Sequence, residues 1–96
     1  MKLHHKGYLL TELSQAHQLW DDTLITQTLL AYNESGAYRE NTLRIALDEL
    51  AAAGLINRVE QKLETNADNK TILRFKYQLS DFGRTRMLDT GLLQNA

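Results

Sequence analysis

Residues 42–58 read Thr-Leu-Arg-Ile-Ala-Leu-Asp-Glu-Leu-Ala-Ala-Ala-Gly-Leu-Ile-Asn-Arg. Leu43, Ala46, Leu47 and Leu50 recur at the three-and-four spacing of a buried helical stripe. Gly54 falls just past the periodic run, where a left-handed helix stop is wanted, and glycine adopts that conformation at almost no steric cost. Leu55 and Ile56 then open an extended run. The stretch predicts one amphipathic helix that begins between Tyr38 and Asn41, ends at Ala53 and turns directly into a strand.

Upstream, Tyr8 to about Leu19 predicts a first helix, with Leu9, Leu10, Leu13 and Ala16 on one side. Asp21 or Asp22 is positioned to cap a second helix from about Thr23 to Tyr32. Leu24, Ile25, Thr28, Leu29 and Tyr32 share its inner face, and Asn33-Glu34-Ser35-Gly36 breaks it. Downstream of Gly54 the period changes from helical to alternating. Leu55, Val59 and Leu63 are expected on one face of a strand, with Arg58, Glu60, Lys62 and Glu64 on the other. Leu73, Phe75, Tyr77 and Leu79 alternate with Arg74, Lys76 and Gln78 in the same way. The turn formers of Asn66-Ala67-Asp68-Asn69-Lys70 lie between them, which predicts a two-stranded hairpin. Pairing residues whose numbers sum to about 136 keeps the apolar sets together. Ser80 is placed to cap a last helix, roughly Asp81 to Leu93, with Phe82, Met87, Leu88 and Leu92 as its apolar contacts and Gly83 and Gly91 weakening it.

Ninety-six residues fit one domain over 1–96, and 43% hydrophobic residues allow a modest core. With no cysteine there is neither a disulfide framework nor a thiolate metal site. No apolar run approaches the roughly 18 to 20 residues that cross a bilayer, and the basic start lacks the apolar stretch of a secretion signal. A cytoplasmic protein with no membrane partner is the expectation. The net charge of -1 does not advertise a nucleic-acid binder, but its distribution is uneven. Residues 1–54 carry four basic and seven acidic side chains, and residues 55–96 carry seven and five, so phosphate affinity is expected mainly in the C-terminal half.

The order helix, helix, helix, hairpin, helix is that of a winged helix, and two local motifs agree with it. Residues 42–58 resemble the recognition helix and first wing strand of GntR-like regulators, whose pattern runs threonine, aliphatic, arginine, any, alanine, leucine, with a glycine-leucine-aliphatic exit. Tyr77-Gln78-Leu79-Ser80-Asp81-Phe82-Gly83-Arg84 is similar to the second wing strand and helix start of MarR- and PadR-like regulators. The resemblance implies an α+β winged-helix DNA-binding domain: a three-helix bundle, a two-stranded wing and a short C-terminal helix. It implies double-stranded DNA as partner, with the third helix in the major groove, the wing on the backbone and a homodimer as the working unit.

The same resemblance places Thr42 at a phosphate-contacting hydroxyl and Arg44 at a base- or phosphate-reaching position. Helical spacing independently sets Asn41, Arg44, Ile45 and Asp48 opposite the core stripe. Asn41 suits adenine, Arg44 guanine and Ile45 a thymine methyl. The DNA-binding candidates are therefore Arg39, Asn41, Thr42, Arg44 and Ile45 on the helix, and Arg58, Lys62, Lys70, Arg74 and Lys76 on the wing. Two departures stand out: Glu40 occupies a position where GntR proteins usually carry arginine, and Asp48 and Glu49 make the later helix acidic. A plainer account of the wing pairs Glu60 with Lys76 across an exposed sheet.

His4, His5 and His17, with Asp21 and Asp22, lack metal-ligand spacing, and a mobile, polar N-terminal segment accounts for the first two. No nucleophile–base constellation and no glycine-rich phosphate loop is present, so neither enzymatic activity nor a cofactor is expected. Trp20 and Tyr32 are expected as core or interface anchors. A protein–protein adaptor, or a phage or plasmid accessory DNA-binding protein, is compatible with the same residues; an adaptor differs in binding with weak salt dependence.

Overall fold

The computed structural model describes residues 4–92. Along it lie α1 (His5–Gln15), β1 (Leu19–Trp20), α2 (Asp21–Tyr32), α3 (Ala37–Ala52), β2 (Ile56–Thr65), β3 (Thr71–Leu79) and α4 (Asp81–Thr90). Four helices pack with a three-stranded antiparallel sheet of order β1-β3-β2, an α+β fold compatible with a winged-helix arrangement.

The stripe of α3 is buried as its spacing predicts: Leu43, Ala46, Leu47 and Leu50 all face the core. There they meet Leu9, Leu10 and Leu13 of α1, Leu24 and Ile25 of α2, Ile56, Tyr77 and Leu79 of the sheet, and Met87 of α4. Leu47 is 1% exposed, so truncation to alanine would cost roughly 2–5 kcal/mol. Gly54 has φ +80°, and its N–H and that of Leu55 donate to the carbonyls of Ala51 and Leu50, both at 3.0 Å. The last carbonyls of α3 are thereby satisfied while the chain reverses into β2.

The hairpin pairs Leu63 with Leu73, Lys62 with Arg74 and Glu60 with Lys76, the expected sum of 136. Nearer the core the sum drops to 135, pairing Arg58 with Tyr77 and Ile56 with Leu79. The irregularity between Arg58 and Glu60 absorbs the change, and one extra residue reverses which side chains share a face. Ile56 rather than Leu55 therefore enters the core, at 1% exposure, while Val59 sits at the bulge, 42% exposed. Arg58 moves to the face of Tyr77 and Phe75 instead of the charged face predicted for it. The two-stranded expectation is also corrected: β1 pairs Leu19 with Tyr77 and Trp20 with Lys76.

All four helices depart from their expected bounds. α2 starts at Asp21, with Trp20 rather than Asp21 or Asp22 at its N-cap and no side-chain cap, and α3 runs one residue early at both ends. The first and last helices differ more. The first starts at His5, and His4 caps it through Nδ1, which accepts the Lys6 N–H at 3.3 Å; it stops at Gln15 because Leu19 and Trp20 are drawn into the sheet. His4 and His5 thus belong to a helix start rather than a loose segment. The last helix is capped by Ser80, whose Oγ accepts the Gly83 N–H at 2.8 Å. It runs to Thr90, and the expected terminus at Leu93 lies outside the described residues. Met87 is buried, but Phe82 and Leu88 are 54% and 37% exposed, contrary to expectation. Gly83 is there for close approach: a Cβ on it would lie 2.0 Å from the backbone oxygen of Leu55. Among the described residues no helix is long and apolar enough to cross a membrane.

Candidate nucleic-acid interface

Outside its buried stripe, α3 presents Tyr38, Asn41, Thr42 and Ile45 to solvent, one ridge at three-and-four spacing. Tyr38 is 78% and Ile45 50% exposed, large apolar surfaces for one short helix face. Asn41 carries a free amide with two donors and an acceptor. The Thr42 hydroxyl donates to the Tyr38 carbonyl at 3.0 Å, so it must rotate away before it can donate to a phosphate. Asp48 and Glu49 continue the ridge as an acidic end.

The charged candidates are placed differently. Arg39 reaches Glu34 at 3.4 Å and lies 5.8 Å from the Tyr38 ring. The Arg44 guanidinium turns toward the buried carboxylate of Asp21, 3.5 Å away, instead of lying on the free ridge. Arg58 stacks over Phe75 at 4.3 Å, donates from Nε to the Tyr77 hydroxyl at 3.2 Å, and pairs with Asp48. The Tyr77 hydrogen bond raises the Arg58 pKa above its ordinary value; burial raises that of Tyr77, and Arg58 partly offsets it. A cation held between an aromatic face, a phenol and a carboxylate ties β2 and β3 to α3.

On the other face of the hairpin, β1 and the start of α2 cover what was expected to be open. Arg74 is only 12% exposed, between Asp21 and Glu64. Lys76 pairs with Glu60 at 2.7 Å, as the plainer account of the wing has it. Lys62 pairs with Glu64 at 3.6 Å, and the Lys62 and Lys76 ammoniums sit 4.4 and 5.0 Å from the Trp20 ring. Trp20 is thus a half-buried anchor of the hairpin, while Tyr32 packs on His5 and Tyr8 with ring centroids 4.5 and 5.4 Å apart. Among the described residues, Lys70 at the hairpin turn is the only candidate cation with no acidic partner.

Among the described residues two further cations share that freedom, Arg84 and Arg86 on the exposed side of α4. Sequence reasoning counted them in the basic half but did not single them out, because nothing in a sequence tells a free arginine from a paired one. Lys6, 3.3 Å from Glu49, lies beside Thr42, Leu43 and Ile45 along the flank of α3 and was likewise passed over. No group of three or more histidine, aspartate or glutamate side chains among the described residues is arranged to hold a metal.

No protein-family model matches this chain, and no curated protein matches it in sequence. Its fold is similar to that of a solved structure from Thermoplasma acidophilum described as a "putative transcriptional regulator". The two share 15% identity with a TM-score of 0.60, over 88% of this chain and 74% of the other. At that identity the likeness is one of fold.

Proposed function

We propose that the chain is a winged-helix protein that binds double-stranded DNA sequence-specifically and regulates transcription, working as a homodimer without catalysing a reaction. The observation that carries this reading is the solvent-facing ridge Tyr38, Asn41, Thr42 and Ile45 on a helix that leads directly into a projecting hairpin. Asn41 suits bidentate recognition of adenine and Ile45 suits a thymine methyl, each readable in the major groove. Lys70 at the hairpin turn supplies a backbone contact, while Arg39 and Arg44 engage phosphate only by leaving Glu34 and Asp21. Specificity then rests on neutral side chains, and long-range attraction is modest.

The adaptor reading has its own support. Arg39, Arg44, Arg58, Lys62, Arg74 and Lys76 are all in ion pairs, and the ridge ends in Asp48 and Glu49. Selection from a random duplex library separates the two, comparing the wild type with Asn41→Ala. Enrichment of a defined motif that Asn41→Ala relaxes at one base position is the expected result. No enrichment at low salt, together with salt-insensitive capture of a protein through Tyr38 and Ile45, would replace the DNA reading by the adaptor.

A further inference from the structure

Asp21 is a buried carboxylate, 3% exposed, at the junction of β1 and α2. It accepts the N–H of Asp22 at 2.6 Å and that of Phe75 at 3.2 Å, so it completes the edge of β3 just beyond the two residues of β1. Two guanidiniums face it. Arg44 Nη1 from α3 is 3.5 Å from Oδ2, and Arg74 Nη1 from β3 is 4.0 Å from Oδ1. Neither reaches the roughly 2.7–2.9 Å of a charge-assisted hydrogen bond.

The two arginines differ in how they tolerate this. Arg44 is 36% exposed, so water can solvate its free nitrogens. Arg74 is enclosed, and its Nε and Nη1 are buried with no hydrogen-bond partner, the only such side-chain atoms among the described residues. Glu64 stands 3.8 Å from that Nε. A buried donor left unmade is costly, so Arg74 gains most from full possession of Asp21. A cavity of about 110 Å³ between α3 and the hairpin, lined by Asp21, Arg44, Asp48, Leu73 and Phe75, leaves space for the Arg44 guanidinium to swing away from Asp21.

We propose that Asp21 is a positioning residue that couples α3 to the hairpin: when a DNA phosphate takes Arg44, Asp21 passes to Arg74 and draws β3 against the start of α2. The proposal rests on the DNA reading above for the identity of the anion. One carboxylate shared by two cations makes the coupling reciprocal, so whatever strengthens the Asp21–Arg74 pair favours phosphate at Arg44.

The exchange is tested first without DNA. In Arg44→Gln, or in Arg44→Ala should the first fold poorly, Asp21 is left to Arg74. The Arg74 Nη–H resonance, from the nitrogen that faces Asp21 and identified by its loss in Arg74→Lys, should then shift and exchange more slowly with solvent. An unchanged resonance overturns the proposal whatever the protein binds. The second test is a binding cycle on duplex DNA. Arg74→Gln should weaken binding on the order of fivefold in the wild-type background and leave it unchanged in Arg44→Gln. Asp21→Asn, which keeps an acceptor for Phe75, should abolish that difference. Equal losses in both backgrounds would make Arg74 merely structural and overturn the coupling. Absence of any DNA binding by the wild type sinks the DNA reading, and the resonance test then decides the exchange by itself.

Discussion

Replacing Gly83 by alanine sets two effects against each other. By helix propensity alone alanine in α4 should gain about 1 kcal/mol. The added Cβ, however, would stand 2.0 Å from the Leu55 oxygen and 2.9 Å from Leu79 Cδ1, where ordinary contact begins near 3.4 Å. The nearer atom is backbone, fixed by the Ser80 N–H at 3.1 Å and by the Ser80 hydroxyl at 2.9 Å, so it cannot swing aside as a side chain would. Overpacking costs about 1–3 kcal/mol, and parting α4 from Leu55 also strains the Ser80 hydrogen bonds, each worth about 1 kcal/mol. The balance is a net loss near 2 kcal/mol, a fall in Tm of roughly 8–16 °C for a chain of this size. Gly91→Ala is the control: its φ of +82° carries a left-handed penalty near 1 kcal/mol, but nothing lies within 4 Å of the added Cβ. Thermal and urea unfolding of both variants checks the order. A Gly83→Ala protein as stable as the wild type, or less affected than Gly91→Ala, would refute the close approach of α4 to the exit of α3.

Arg58→Met keeps an unbranched stem but removes the guanidinium that stacks on Phe75 and donates to the Tyr77 hydroxyl; the half-exposed site makes the expected cost about 1 kcal/mol in urea unfolding, with the Tyr77 phenol pushed further up in an absorbance titration. Burial raises Tyr8, Tyr32 and Tyr77 above the ordinary 10.0, so the unfolded chain releases these protons first. Their contribution is fully present below about pH 10 and is lost as pH rises through the folded values, so stability should decline in the alkaline range and Tyr77→Phe should blunt the decline. Because few cations are free, the slope of log K against log salt for DNA should be shallow, roughly -1 to -3 per chain at about 0.9 per phosphate contact; a much steeper slope would mean that the intramolecular ion pairs open on binding.

The core of this fold was legible because it depends on periodicity. Leu43, Ala46, Leu47 and Leu50 declare a helix face, and Gly54 declares its end. The hairpin register was legible up to the bulge near Val59, where no glycine or other signal marks the extra residue, and Arg58 was assigned to the wrong face as a result. β1 was invisible because two residues cannot show an alternation; its existence depends on the edge of β3 being free to receive Leu19 and Trp20. Gly83 read as a helix weakness because its neighbour Leu55 is remote in sequence. Of the candidate interface, the ridge of α3 was legible as the complement of the core stripe. The fate of its cations was not, since the pairing of Arg44 and Arg74 with Asp21 spans 23 and 53 positions of the chain.

The central claim is that the ridge of α3 contacts duplex DNA, and amide chemical-shift mapping tests it most directly. A nitrogen-15-labelled protein titrated with a duplex at low salt should show its largest shifts at Tyr38, Asn41, Thr42 and Ile45, with a second group around Lys70 at the hairpin turn. Shifts confined to α4, around Arg84 and Arg86, or no shifts at all, would contradict it.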